Sequence, residues 1–248
     1  MKNESNGNAS ISEINPGGVT ILCSSENHPI VPYIQEWIKT RSESINLVYN
    51  ASELKGGKYL FLISCTQIIK KENRDKFRYS LVIHESDLPN GRGWSPLVWQ
   101  ILENKNTIVV SLIEASDPVD SGKIWKKQLL ELEGHEMYYE INKKLAKIKI
   151  ELIEFVINGG MVVPQQQEGK MTYYKKRTPE DSKLDLNKTI LEQFNLIRIS
   201  DENRYPCFFE YRGFKYKLSI SKMEKSQFCN ENMKTEDQKH KTPMIKSK

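Results

Sequence analysis

The sequence of 248 residues has few cysteines, no long apolar run and no metal-ligand spacing. Its four cysteines lie far apart, with no Cys-x-x-Cys pair and no histidine at zinc-ligand spacing, so we expect reduced thiols and no bound metal. No stretch approaches the roughly 18 apolar residues that a membrane-spanning helix needs, and the amino-terminal region lacks the apolar core of a signal peptide. These absences predict a cytoplasmic protein without a membrane partner.

The two ends of the chain differ in composition from its middle. Residues 1–16 are rich in Asn, Ser and Glu, and residues 223–248 are polar and lysine-rich without periodicity, so we predict that both segments are disordered. The net charge of +5 owes much to the lysines of the second segment. Without them the basic signal is weak, and we therefore expect no nucleic-acid partner.

Between residues 17 and 164, apolar runs alternate with helical patterns. The runs at 59–63, 80–84 and 107–113 have the length of buried strands, and the segments 30–39 and 134–158 have apolar residues at helical spacing. Continuous apolar strands are typical of a parallel sheet that is covered on both faces. The sequence therefore predicts an α/β fold with a mostly parallel sheet.

Residues 165–222 are predicted to form a small carboxyl-terminal extension. A glutamine-rich stretch precedes a helical segment at about 188–199, and alternating aromatic residues then indicate a β-hairpin that turns at Arg212 and Gly213. Aromatic residues that alternate along a hairpin more often pack than bind a ligand. We therefore expect them to form a minor core or a dimer contact.

Two side chains suited to acid–base chemistry follow predicted strands. His84 ends the strand at 80–84, and Asp120 follows the strand at 107–113. Ligands of open α/β sheets bind beyond the carboxyl ends of the strands, so the two side chains can share one crevice if these strands are neighbours. Taken singly, however, His84 is equally well explained as a surface histidine and Asp120 as a turn residue.

The joint pattern around these residues resembles the folate-dependent formyltransferase family. Residues 84–93 read His-Glu-Ser-Asp-Leu-Pro-Asn-Gly-Arg-Gly and residues 120–122 read Asp-Ser-Gly, which match the family's His-x-Ser-x-Leu-Pro-x-x-Arg-Gly and Asp-x-Gly. Residues 177–185 are similar to the segment that follows the Rossmann-like domain in the tRNA and sugar branches. The resemblance implies a Rossmann-like formyltransferase domain at 17–164, followed by a short helix and hairpin extension at 165–222.

In chemical terms, the resemblance implies transfer of a formyl group from N10-formyltetrahydrofolate to an amine, through a tetrahedral intermediate whose oxygen becomes negative. His84 would act as the electrophilic partner or as a proton shuttle, because imidazole exchanges protons near neutral pH. Asp120 would orient His84 or accept the proton that the amine loses. The residues implied to contact the folate are Leu88, Glu114, Ala115, Ser116 and Asp117.

One position departs from the family pattern. The family has an asparagine two residues before the histidine, where this chain has Val82, which has no side-chain hydrogen-bond donor. Loss of one oxyanion donor typically lowers the rate about 100- to 1000-fold, so we expect a substitute. The side-chain candidates are Ser80, Cys65 and Thr66, and a backbone N–H or an ordered water would also serve.

The acceptor amine is predicted from the extension. A methionyl-tRNA enzyme would need a basic domain of about 100 residues where this chain has residues 200–248, and a glycinamide ribonucleotide enzyme would leave the segment at 177–185 unexplained. The resemblance therefore favours a dTDP- or UDP-linked amino-dideoxy sugar, used for surface polysaccharide biosynthesis. Arg92, Tyr174 and Arg177 are the residues expected to bind this substrate.

Other functions stay open at this point. They are formyl transfer to methionyl-tRNA or to glycinamide ribonucleotide, and a noncatalytic folate- or nucleotide-binding module, which Val82 would explain. The sequence does not determine the nucleotide, the sugar, the amine that is formylated or the oligomeric state. A homodimer through the carboxyl-terminal part is one state that the resemblance allows.

Overall fold

The computed structural model describes residues 18–160 and 162–223, and a six-stranded sheet lies at its centre. The predictions of disorder for residues 1–16 and 224–248 lie outside the described residues. In chain order the elements are β1 (Val19–Leu22), α1 (Val31–Lys39), β2 (Ile45–Val48), β3 (Gly57–Ile63), α2 (Lys71–Arg74), β4 (Phe77–His84), β5 (Arg92–Gly93), α3 (Pro96–Leu102), β6 (Thr107–Glu114), β7 (Ile124–Glu131), α4 (Tyr138–Ile157), β8 (Tyr173–Tyr174), α5 (Phe194–Arg198), β9 (Cys207–Tyr211) and β10 (Phe214–Leu218).

The strand order of the sheet is β2-β1-β3-β4-β6-β7. The first four strands in this order run parallel, whereas β6 pairs antiparallel with β4, and β7 pairs antiparallel with β6. The prediction of a mostly parallel α/β sheet is therefore confirmed. The reversal at β6 has no counterpart in the sequence pattern, because an apolar run does not encode the direction of a strand.

The long helices lie on one face of the sheet. Apolar residues of α1, α3 and α4 join those of the strands in the main core, in which Phe61, Ile141 and Leu152 are fully buried. Burial of one such side chain contributes about 1.5–3 kcal/mol. A smaller apolar cluster covers the opposite face, where Leu62 and Val82 belong to strands but only short helical segments lie nearby. Both faces of the sheet therefore carry an apolar cluster, although the long helices lie on only one of them.

The extension is joined to the sheet domain at several points. β8 pairs with β5, and Ile199 at the end of α5 belongs to the main core. The hairpin of β9 and β10 turns at Arg212 and Gly213, as the sequence predicts, and both residues have left-handed backbone conformations. The predicted helix at about 188–199 is much shorter, since only Phe194–Arg198 is α-helical. No helix of the described residues is long and apolar enough to cross a membrane.

Candidate active site

A cavity of about 480 Å³ lies at the carboxyl edge of β3 and β4. Its wall includes the residues that follow β3, the end of β4 and the loop between β6 and β7. His84 and Asp120 both line it, and each is only 7% exposed. The two residues that the sequence placed in one crevice are therefore brought together.

The contacts of His84 fix the roles of its two ring nitrogens. Nε2 lies 2.9 Å from the carbonyl oxygen of Gly91, and because a carbonyl only accepts, Nε2 donates. Neutral His84 then has a free lone pair on Nδ1, which lies 3.7 Å from Oδ1 of Asp120. The other carboxylate oxygen of Asp120 accepts a hydrogen bond from the backbone N–H of Gly93 at 3.0 Å. The pair thus presents two proton acceptors to the same space.

Asp120 reaches His84 by an indirect route. Because β6 is antiparallel to β4, its end at Glu114 pairs with Leu81, and the chain leaves the sheet at the level of Ser80 rather than His84. The loop must then fold back toward the end of β4. Asp120 has a φ of 60° in this loop. The prediction that the strands before His84 and Asp120 end at the same edge of the sheet was therefore wrong for β6. His84 and Asp120 nevertheless lie close together, as predicted.

Gln167 holds the returning loop in place. Its side-chain amide donates to the carbonyl oxygens of Asp120 at 2.9 Å and Gly122 at 2.8 Å, and its Oε1 accepts from Arg92 at 2.6 Å. Gln167 was not predicted from the sequence, because a glutamine in a polar stretch carries no local signal of a long-range contact.

Five predicted site residues do not line the cavity. Arg92 is buried, and its guanidinium is engaged by Gln167, whereas the hydroxyl of Tyr174 donates to Glu103 at 2.9 Å. Both side chains are therefore directed to structural partners, not to a substrate. Leu88 is fully packed with 1% exposure. The remaining two are Glu114, which accepts from the Trp125 ring N–H, and Ser80, which donates to the carbonyl oxygen of Arg74.

The rest of the predicted folate loop does line the cavity, as Ala115, Ser116 and Asp117. Asp117 forms an ion pair with Arg74 across the mouth of this region. Beside the loop, apolar side chains of the smaller core cluster form a wall that includes Leu62 and Val82. This side of the cavity therefore combines an apolar wall with the backbone polar groups of a loop.

Two of the three predicted oxyanion donors are on the wall. Cys65 lines the cavity, but its thiol points to the carbonyl oxygen of Leu22 at 3.2 Å. Burial raises the pKa of the Cys65 thiol to about 12, so the thiol stays protonated near neutral pH. Thr66 also lines the cavity.

The extension also contributes cationic and aromatic side chains to the cavity wall. Arg177 is 7% exposed and donates to Oγ of Ser182 at 2.9 Å, and its guanidinium lies over the ring of Tyr205 at 5.3 Å. Burial lowers the pKa of Arg177, against the nearby charge of Asp181. Lys176 lies over the ring of Trp94 at 4.9 Å on the same wall.

Four residues that were not predicted from the sequence line or adjoin the cavity: His28, Ser64, Glu85 and Lys149. Lys149 is fully buried and lies 2.5 Å from Glu85, which directly follows His84. A lysine on the apolar stripe of α4 between Leu145 and Leu152 was the available signal, because lysine is almost never fully buried without a partner. His28 lines the cavity from the loop after β1.

Comparison with known proteins identifies relatives of this arrangement. No family model matches the chain. A methionyl-tRNA formyltransferase of Rickettsia canadensis is 31% identical over 197 residues, which are 74% of this chain and 63% of that protein. The chain spans between 43% and 63% of the length of the five curated relatives compared, all of them methionyl-tRNA formyltransferases.

Solved structures of formyltransferases have the same fold. A methionyl-tRNA formyltransferase from Clostridium thermocellum is 25% identical with a TM-score of 0.72, covering 84% of this chain and 94% of that chain. A 4-N formyltransferase from Francisella tularensis is 16% identical with a TM-score of 0.61, covering 84% of this chain and 98% of that chain; at this identity the likeness shows the fold alone. Sequence, fold and the meeting of His84 with Asp120 agree, and the chain is similar to formyltransferases, methionyl-tRNA formyltransferase among them.

Proposed function

We propose that this protein transfers a formyl group from N10-formyltetrahydrofolate to the amine of a nucleotide-linked amino-dideoxy sugar. The observation that carries formyl transfer is the position of His84 and Asp120, which face each other across 3.7 Å on the wall of one cavity. The formyl donor and the amine acceptor must bind next to each other for this reaction, and the cavity beside His84 and Asp120 offers them one enclosed space.

The cavity fits a formyl-folate on the side of the smaller core cluster. A pterin ring is flat and largely apolar on its faces, with polar atoms along its edge. Leu62 and Val82 offer an apolar wall for the faces, and the backbone of residues 115–117 offers hydrogen-bond partners for the edge. When bound there, the folate supplies the formyl group, and these residues would hold it beside His84.

Proton transfer is the task of His84 and Asp120. An amine that attacks the formyl carbon must lose a proton, and both Nδ1 of His84 and Oδ1 of Asp120 are acceptors next to the same space. Nδ1 of His84, which takes this proton directly or by way of Asp120, then returns it to the nitrogen from which the formyl carbon departs. The hydrogen bond from Nε2 to Gly91 keeps the ring in the orientation that this exchange requires.

The cationic and aromatic side chains around Arg177 favour an acceptor with phosphate groups. Among the residues that the structure describes, no carboxylate forms an ion pair with Arg177, although the guanidinium is buried. The charge of Asp181 acts on Arg177 without a direct ion pair, and an anionic ligand would compensate the buried cation directly. Tyr173 and Trp94 on the same wall present ring surfaces to a nucleobase. These features support a nucleotide-linked substrate and replace Arg92 and Tyr174 as its proposed contacts.

Methionyl-tRNA is the second candidate acceptor, and the names of the curated relatives favour it. The two acceptors are separated by supplying each with N10-formyltetrahydrofolate and measuring tetrahydrofolate release together with the mass of the product. We expect dTDP- or UDP-linked amino sugars to be formylated and methionyl-tRNA to remain unmodified. Formylation of methionyl-tRNA at the higher kcat/KM would reject the sugar proposal.

Variants of His84 and Asp120 test the proposed proton transfer in the same assay. We expect His84→Ala and Asp120→Ala to lower kcat about 100-fold or more, because general acid–base groups typically contribute that much. His135→Ala is the matched control, since the side chain of His135 is 59% exposed and lies away from the cavity wall. Unchanged turnover in either cavity variant would reject the assignment.

A further inference from the structure

A buried ion pair lies beside His84, and the proton transfers described above do not use it. The side chain of Lys149 in α4 has no exposed surface, and its ammonium lies 2.5 Å from Oε1 of Glu85. Burial opposes ionisation of Glu85, but the charge of Lys149, its hydrogen bond to Glu85 and the smaller favourable contacts together outweigh burial and hold the pKa of Glu85 below its ordinary value. Apolar residues of similar size often stabilise a fold as well as a buried ion pair does. Stability alone therefore does not explain this pair.

Ser64 is the second partner of Lys149. Nζ of Lys149 donates to Oγ of Ser64 at 3.2 Å. Ser64 follows β3 with a φ of 51°, a left-handed conformation that is strained for a residue other than glycine. Because Ile63 pairs with Ile83 in the parallel register of β3 and β4, Ser64 comes at the level of His84 on the carboxyl edge. The strained backbone thus belongs to a residue on the cavity wall that His84 also lines.

The hydroxyl of Ser64 has a proton to donate into the cavity. Its oxygen already accepts from Lys149, and within the described ranges 18–160 and 162–223 its proton has no hydrogen-bond acceptor. Ser64 lines the cavity together with His84, Glu85 and Asp120. A cation that donates to a hydroxyl oxygen draws electron density from it and strengthens the donor on the other side. Ser64 is therefore a polarised donor without a protein partner.

The side-chain donors expected from the sequence are less suited to this task. Ser80 does not line the cavity, and its hydroxyl donates to the carbonyl oxygen of Arg74. The thiol of Cys65 is a weak donor and points to the carbonyl oxygen of Leu22. Thr66 lines the cavity and is the remaining rival among the three.

We propose that the Ser64 hydroxyl, with the Lys149 ammonium behind it, donates a hydrogen bond to the oxygen of the formyl group that is transferred. This inference rests on the proposed formyl transfer. Ser64 would be a catalytic residue, because it touches the reacting group. Lys149 is a positioning residue that orients and polarises Ser64, and Glu85 holds Lys149 in place.

The hydrogen bond strengthens as the reaction proceeds. When the amine nitrogen bonds to the formyl carbon, the electron pair of the carbonyl bond moves onto the oxygen, which becomes negative. The pair returns when the bond between the carbon and N10 breaks. Nδ1 of His84 has by then taken the amine proton, directly or by way of Asp120, and gives that proton to N10. Ser64 keeps its own proton throughout and stabilises the charge on the oxygen.

Infrared spectroscopy tests this contact without requiring turnover. A slowly reacting N10-formyl folate analogue with an isotope label in the formyl group is bound to the wild-type protein and to Ser64→Ala, and the labelled carbonyl band is compared. A hydrogen bond lowers the carbonyl stretching frequency, so we expect the band to move to higher frequency in the variant. Calorimetry should find little change in affinity for the analogue, while kcat falls about 100-fold, as for loss of one oxyanion donor.

Three further variants separate donation from structure. Ser64→Gly lacks the hydroxyl but adopts the left-handed conformation without strain, so a purely structural Ser64 would leave it active, whereas we expect it to match Ser64→Ala. Thr66→Val tests the rival donor and should leave the band in place. The double variant Glu85→Gln/Lys149→Met removes the ion pair without leaving a buried charge unpaired, and should shift the band part of the way.

The outcomes distinguish this inference from the proposed function. A band that is unchanged in both Ser64 variants overturns the inference, as does a shift in Thr66→Val alone. If the wild-type protein binds the analogue with a Ser64-dependent band but formylates no amine, the contact stands and the proposed transfer fails. A wild-type protein that does not bind the analogue overturns both.

Discussion

Arg177 is the residue whose surroundings say most about the acceptor. Its buried guanidinium has a hydroxyl partner in Ser182 and an aromatic neighbour in Tyr205, but the salt bridges of the described residues include none to it. A charge in this position is satisfied when an anionic group enters the cavity.

Replacement of Arg177 by glutamine should therefore weaken binding of the acceptor. Loss of one hydrogen bond to a charged group costs about 1.5–3 kcal/mol, so we expect KM for the nucleotide sugar to rise about 10- to 100-fold while kcat changes little. Steady-state kinetics with the acceptor varied give both constants. Arg212→Gln, on the exposed hairpin turn, is the control. A fall in kcat at constant KM would contradict a binding role.

His28 makes stability depend on pH. Burial, aided by the charges of Lys149 and Arg204, lowers the pKa of His28 to about 3, whereas the unfolded chain binds a proton near the ordinary value of about 6.5. Below pH 6.5 the unfolded state therefore binds more protons than the folded state. The folded state loses stability as the pH falls from 6.5 toward 3.

The variant His28→Asn should reduce this loss. Its amide oxygen replaces Nδ1, which accepts from the backbone N–H of Ile30 at 3.3 Å. Between pH 7 and pH 5 we expect the wild type to lose about 1–2 kcal/mol more of its free energy of unfolding than the variant does, as urea denaturation would measure. Equal losses would show that His28 is not protonated selectively in the unfolded state.

At the scale of elements, the loop between β6 and β7 decides whether the site forms. Gly122 lies so close to β6 that a Cβ atom there would be 1.8 Å from the carbonyl oxygen of Glu114. Only glycine allows this approach, which lets the chain fold back and carry Asp120 to His84.

The variant Gly122→Ala should displace the loop and with it Asp120. We expect a loss of about 1–3 kcal/mol in stability, as for other overpacked sites, and a fall in kcat comparable to that of Asp120→Ala. Gly159→Ala is the control, because its Cβ would meet no atom within 4 Å, although its φ of +84° makes the change mildly destabilising. If Gly122→Ala retained full turnover, the position of Asp120 would not depend on this approach.

The sequence predicted the elements better than their arrangement. The strands predicted at 80–84 and 107–113 and the helix predicted at 30–39 were recognised from local periodicity, which side-chain burial enforces. The direction of β6 and the short length of α5 were not predicted, because they depend on pairing and packing with distant segments. The hairpin turn at Arg212 was found because turn chemistry is local.

On the scale of the whole molecule, the extension and the sheet domain share one core. The guanidinium of Arg198 is buried and donates to the carbonyl oxygen of Glu136 at 3.3 Å and to Asn106 at 3.2 Å, while Ile199 packs in the main cluster. The hydroxyl of Tyr138 donates to Asp201 at 2.9 Å across the same boundary. We therefore propose that residues 165–222 are a separate segment in sequence but not a separate folding unit.

A single unfolding transition should follow from this shared core. The variant Ile199→Ala is expected to cost about 2–4 kcal/mol, as for other fully buried residues, and to lower the stability of both parts equally. Tryptophan fluorescence reports on the sheet domain, and proteolysis in the loop between α5 and β9 reports on the extension. Two separate midpoints, of which only the extension's responds to Ile199→Ala, would contradict the proposal.

The sequence by itself determined the resemblance to formyltransferases, the α/β class and the two residues that meet at the site, because apolar periodicity, the signature around His84 and the Asp-x-Gly at Asp120 are local patterns. The tertiary structure alone decided which polar groups reach the cavity. It directs Arg92 to Gln167, and it brings Lys149 to Glu85 and Ser64. Residues far apart in the chain make these contacts, and their geometry follows from strand direction and packing rather than from any local pattern.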